Sequence, residues 1–114
     1  MARTPQQIFD HHLQALLNRD VTEVLVDYTD DSVLITRAGV AQGLDAIRSG
    51  FNQLATALDG AAFDITSTTY HGNILLLEWS LEAPTHRVDG VDTFVFGDDS
   101  IQVQTISQST SPTA

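Results

Sequence analysis

Apolar and polar positions follow two different periods along the chain, and the change falls near Gly60. Before it the period is helical. Thr4-Pro5-Gln6-Gln7 has the spacing of a capping box with proline at the first helical position. Behind it, Ile8, Phe9, His12, Leu13, Leu16 and Leu17 fall on one half of a helical wheel, opposite Asp10, Gln14 and Asn18. Asp20, with Glu23 three residues on, caps a shorter helix whose apolar positions are Val21, Val24, Leu25 and Tyr28. Ser32–Arg37 is β-branched and alternating, a strand, and Val40–Gln42 is a short return strand after the turn at Ala38-Gly39. Leu44, Ile47, Phe51, Leu54 and Leu58 keep the helical period of a third helix, closed by Asp59-Gly60 with glycine as a left-handed cap.

After Gly60 the period is two. Ala62–Tyr70 is a strand, His71-Gly72-Asn73 a tight turn, and Ile74–Ala83 a long strand with Leu75, Leu77, Trp79 and Leu81 on one face. Pro84–Asp89 reads as a loop. Val91–Phe96 and Ile101–Ile106 flank the turn Gly97-Asp98-Asp99-Ser100 as a hairpin. Ser107–Ala114, rich in Ser and Thr, is expected to fray, giving one domain over 1–108 and a flexible tail over 109–114. Three helices followed by an antiparallel meander make an α+β plan, with the helices covering the apolar face of the sheet. The second face of Ile74–Ala83 is apolar at one end and polar at the other. That suggests a homodimer through the open face of the sheet.

Composition narrows the chemistry. A chain of 114 residues with 42% hydrophobic and 18% charged residues suits one soluble domain. Cysteine and lysine are both absent, which removes thiol nucleophiles, thiolate metal sites and Schiff bases. The formal charge of −10 repels phosphate backbones, so nucleic acid is not expected as a partner. No apolar run spans a bilayer, and the N-terminal stretch lacks an apolar signal core; a cytoplasmic protein without membrane contact is the expectation. His71 and His86 sit in loops without partners at ligand spacing. His11 and His12 point about 100° apart on a helix, so no metal is expected.

Asp92 shares a strand face with Phe94 and Phe96, the face expected to be buried. A buried carboxylate is costly unless bonded or protonated. It reads either as a pocket acid or as a structural carboxylate bonded to His12, a tyrosine or backbone. His12, inside an apolar helix arc, is either a satisfied core histidine or a proton shuttle for Asp92. Trp79, Leu77, Phe51, Phe94 and Phe96 are candidate walls of a pocket or plain core, and Thr36 and Tyr28 are candidate donors into it.

Asn-Arg-Asp-Val at 18–21, Tyr-Thr-Asp-Asp-Ser-Val at 28–33, Gly-Leu-Asp-Ala-Ile-Arg-Ser-Gly-Phe at 43–51, Leu-Glu-Trp at 77–79 and Asp-Thr-Phe-Val-Phe at 92–96 occur in an order and spacing that resembles the NTF2-like superfamily. Within it, the SnoaL-like and ketosteroid-isomerase-like group is the nearest likeness. The resemblance runs from Pro5 to about Ser107. It implies a cone-shaped, cystatin-like α+β barrel in which a curved antiparallel sheet wraps a long helix around a pocket, often as a dimer. In the ketosteroid isomerases an aspartate base works with a tyrosine and a protonated aspartic acid. By resemblance the aspartic acid falls at Asp92, the tyrosine at His12 and the base at Thr36. Threonine is no general base at neutral pH, so that reaction is not expected. The arginine flanked by two inward carboxylates that an epoxide hydrolase needs is not found around Asp92. SnoaL-like cyclases use a pocket aspartate as acid or base, a role open to Asp92 with His12. Two functions are therefore expected. One is a pocket protein that binds a small hydrophobic carbonyl compound, with or without isomerase, cyclase or lyase chemistry and without a cofactor. The other is a non-catalytic association module with a filled core.

Overall fold

The computed structural model describes residues 2–57 and 59–112; Leu58, expected on the third helix, lies outside them, as do residues 113–114 of the tail. Helix α1 (Pro5–Leu17) opens on the expected capping box. The Thr4 hydroxyl accepts from Gln7 N–H and the Gln7 side chain accepts from Thr4 N–H at 2.8 Å. Helix α2 (Val21–Val24), capped by Asp20, tightens into a 3₁₀ turn at Leu25–Asp27, so the second helix is shorter than its apolar spacing suggests. Helix α3 spans Leu44–Ala57 and buries Ile47 and Phe51. Gly60 adopts φ +73°, the left-handed conformation expected of it.

Among the described residues six strands follow the order β2-β1-β6-β5-β4-β3, where β1 is Val33–Thr36, β2 Gly39–Gln42, β3 Ala62–His71, β4 Ile74–Glu82, β5 His86–Gly97 and β6 Ser100–Pro112. The meander β3–β6 is antiparallel throughout. The sheet as a whole is mixed rather than antiparallel, because the β1–β2 hairpin docks with β1 parallel to β6. Each piece is antiparallel within itself; the parallel seam arises where the two meet, a contact between residues far apart in sequence. The sheet is open, not closed into a barrel.

Strand β5 begins at His86, inside the stretch expected to be a loop, and β6 pairs with it as far as Pro112. Residues 109–112 of the expected tail are therefore strand. Their Ser/Thr composition marks an exposed strand, where β-branched and hydroxyl side chains are tolerated.

Two bulges bend the sheet around the helices. One falls between Ile65 and Ser67 on β3. The other inserts Gln102 into β6, since Phe96 pairs with Ile101 and Val95 with Val103. The second bulge decides which residues face inward. Unbroken alternation from Ile101 would send Gln104 outward; the extra residue reverses the phase, and Gln104 is fully buried opposite Phe94. The core lies between α1, α3 and the concave face, where Ile8, Ile47, Leu75, Phe94 and Ile101 are without measurable exposure. Truncating a residue such as Phe94 would cost about 3–5 kcal/mol. Among the described residues no helix is long and apolar enough to cross a membrane.

Candidate functional site

Between α1, α3 and the concave sheet face lies a cavity of about 130 Å³ with a mostly apolar wall. Helix α1 contributes Phe9 and His12, α3 contributes Phe51 and Leu54, and the sheet contributes Leu77, Trp79, Asp92, Phe94 and Gln104. Alternation explains the sheet side. Trp79 pairs with Gly90 and Leu77 with Asp92, so Leu77, Trp79, Gly90, Asp92 and Phe94 all project from one face of adjacent strands.

Asp92 is 5% exposed, and both of its oxygens are held by neutral donors. The Trp79 indole Nε1 donates to Oδ1 at 2.9 Å, and the Gln104 amide Nε2 donates to Oδ2 at 3.0 Å. Behind Gln104, the Tyr28 hydroxyl donates to the amide oxygen, which fixes which end of the amide faces the acid. Among the described residues no cation touches the carboxyl. Burial pushes it up to about 6, against the downward pull of the Trp79 and Gln104 hydrogen bonds. Tyr28 is pushed well above its ordinary range, first by burial and then by the nearby Asp92 and Asp27 charges.

His12 is not bonded to Asp92. It is buried among Phe94, Phe51 and Tyr28, whose ring centroids lie 5.6, 5.7 and 5.9 Å from its own. Its Nδ1 is buried without a hydrogen-bond partner among the described residues. Burial, and then the charge of His11, lower it to about 4, so the ring is neutral at physiological pH. An unpartnered buried nitrogen calls for an explanation, and here it belongs to a side chain lining a cavity.

Of the residues singled out from the sequence, Asp92, His12, Trp79, Leu77, Phe51 and Phe94 come together around this cavity. Phe96 is buried but lies one layer away, stacked on Phe94 at 5.9 Å. Tyr28 reaches the acid only through Gln104. Thr36 is not on the cavity wall; it sits at the β1–β2 turn, where its hydroxyl accepts from Ala38 N–H at 3.1 Å. Gln104 was not visible in the sequence, because its inward orientation depends on the bulge at Gln102.

A second cluster of ionisable groups lies apart from the cavity. Asp27 is fully buried and accepts from Arg3 Nη1 at 2.8 Å and is 2.7 Å from His11 Nδ1. Arg3 continues to Asp99 at 2.7 Å, and His11 to Glu23 at 2.7 Å. The chain's N-terminal segment, α1, α2 and the β5–β6 turn are joined there. Among the described residues no group of three or more histidine or carboxylate side chains is placed to hold a metal ion.

A family model for SnoaL-like domains matches residues 9–104. No curated protein matches the sequence. Among solved structures, a putative polyketide cyclase from Sinorhizobium meliloti superposes with a TM-score of 0.77 at 18% identity, covering 89% of this chain and 94% of that one. An uncharacterised cystatin-fold protein from Novosphingobium aromaticivorans gives 0.79 at 16% identity, over 92% and 98%. The epoxide hydrolase/cyclase-like enzyme SalBIII, of pyran ring formation in the polyether salinomycin, gives 0.79 at 17% identity, over 92% and 90%. At these identities the likeness is one of fold.

Proposed function

This chain belongs to the SnoaL-like domain family of the NTF2-like superfamily, and on that premise we propose that it binds a small hydrophobic carbonyl compound beside Asp92 and moves a proton on it. One observation carries the reading. Asp92 is a buried acid whose partners among the described residues are neutral donors, at the wall of an apolar cavity also lined by His12, whose buried Nδ1 has no hydrogen-bond partner among them. An acid near 6 exchanges its proton close to neutral pH, where general acid catalysis is most effective. In its protonated form it donates to a carbonyl oxygen and stabilises the charge that develops there. The neutral His12 ring takes the proton from the carbon next to that carbonyl as Asp92 gives its own to the oxygen, and the enol so formed returns both protons when it collapses. Isomerisation, cyclisation and dehydration all use this pair of roles. A volume of about 130 Å³ matches one ring, since cavities of roughly 150 Å³ take benzene; a larger ligand places one ring-sized portion there.

The test uses 2-cyclohexenone as the probe, with the wild-type chain and Asp92→Asn. Binding is followed by NMR, and exchange of the α-protons into deuterated water is followed in the same samples. The wild type is expected to bind and to accelerate exchange near pH 6, and the folded Asp92→Asn chain to lose at least tenfold of both. Equal behaviour of the two chains removes the acid from the function.

The small volume, below the roughly 300 Å³ of most ligand sites, favours a second reading in which the domain serves association. Its surface would be the open sheet face. There Ile74, Leu76, Val91 and Ile35 stand exposed, and Leu76, Thr93, Thr105 and Ile35 line up across four strands. A homodimer through this face is expected to sediment as such, and Leu76→Glu to shift it to monomer. A wild-type monomer at micromolar concentration would refute the dimer.

A further inference from the structure

Gly90 sits mid-strand, where glycine weakens a sheet and so needs a reason. The backbone does not supply one. The glycines with positive φ are Gly39, Gly43, Gly60 and Gly72, and Gly90 is not among them. The reason is space. A Cβ at Gly90 would stand 2.1 Å from Trp79 Cζ2, 2.2 Å from Cε2 and 2.8 Å from Cη2, distances at which something must move. Trp79 and Gly90 are register partners, and Asp92 is the next residue of β5 on the same face. An indole that occupies the space over position 90 therefore brings its Nε1 to Asp92 Oδ1 at 2.9 Å.

We propose that Gly90 is the positioning residue of the site: its missing side chain seats the Trp79 indole on β5, and the seated indole supplies the hydrogen bond that holds and tunes Asp92. The proposal rests on Asp92 being the site's acid, yet its test needs no ligand. Loss of the indole bond removes a donor that favours the ionised carboxyl, so Asp92 would titrate higher. The titratable groups facing Asp92 are His12 from α1, Tyr28 from the segment after the 3₁₀ turn, and His86 on β5. Helix α3 and strands β3, β4 and β6 place none on the cavity wall among the described residues.

The experiment is a ¹³C-carboxyl NMR titration of the full chain from pH 4 to 8, with Asp92→Asn to assign the signal. The single tryptophan gives one indole N–H resonance as an internal reporter of its acceptor. In Gly90→Ala the Asp92 midpoint is expected to rise by about 1 pH unit, the worth of one hydrogen bond to a charged group, and the indole resonance to move. Trp79→Phe is expected to give the same rise, and the double variant no more than either. An unchanged midpoint and indole resonance in Gly90→Ala overturns the proposal. Should Gly90→Ala not fold, the same change is made in a Trp79→Val background, where the Cβ has room. Rescue of folding there supports the proposal, and equal damage in both backgrounds overturns it. Failure of cyclohexenone to bind, with these titrations as expected, would reject the ligand reading and leave the positioning role standing.

Discussion

Asp27 and Asp92 are both buried carboxylates, and the molecule treats them in opposite ways. Asp27 lies between Arg3 and His11 and ties three parts of the chain together. Asp92 lies between an indole and an amide, both neutral, beside a cavity. Cationic partners consume a carboxylate's charge in structure. Neutral donors hold its position but leave the cost of burying its charge uncompensated, and that cost raises its pKa to about 6. A clamp and an acid are thus made from the same side chain by the choice of partner.

The contrast breaks most visibly at Asp27. Asp27→Ala empties a fully buried position and leaves Arg3 with Asp99 and His11 with Glu23 as their remaining partners; it is expected to cost about 3 kcal/mol, lowering the thermal midpoint by on the order of 10–20 °C. Asp92→Asn at pH 7 loses one acceptor but also sheds a buried charge, so its expected change is within about 1 kcal/mol. Equal losses in denaturant unfolding would erase the distinction.

The pH dependence of stability sharpens it further. The folded pKa of Asp92 lies above its ordinary value, so the native state binds more protons than the unfolded chain between about 4 and 6, and stability falls as pH rises through that window. The folded pKa of His12 lies below its ordinary value, so the native state binds fewer protons between about 4 and 6.5, and stability rises over that window. Each effect is worth about 3 kcal/mol, and they oppose each other. The wild type is expected to show a nearly flat profile from these two groups. Asp92→Asn should unmask a rise with pH, and His12→Gln a fall. Urea midpoints at pH 4, 5, 6 and 7 read this directly.

A smaller effect is expected at Tyr28→Phe. It leaves the buried Gln104 amide oxygen without its donor, for about 1–2 kcal/mol, and frees the amide to turn. The smallest belongs to His11. Hydrogen bonds to Asp27 and then Glu23 raise its pKa, so its contribution is full below the ordinary histidine range and is lost as pH rises through the folded value. Partial exposure to solvent screens it, and a His11→Gln chain should show that loss abolished.

The elements were legible in the sequence because they follow from local rules. A capping box at Thr4, a two-residue period from Ala62 and a left-handed glycine at Gly60 are each decided by nearest neighbours along the chain. So was the inward face of β4 and β5, which placed Asp92 among aromatic rings. The partners of Asp92 were not legible. Trp79 was expected as wall or core, but its bond to the acid depends on an empty position at Gly90 on the neighbouring strand. Gln104 faces inward only because one extra residue shifts the phase of β6. Thr36 was carried to the site by resemblance and lies instead at a turn. Periodicity specifies which side of its own strand a residue occupies; register, bulges and strand order specify what it meets there. Those are contacts between distant segments, settled only when the sheet closes over the helices.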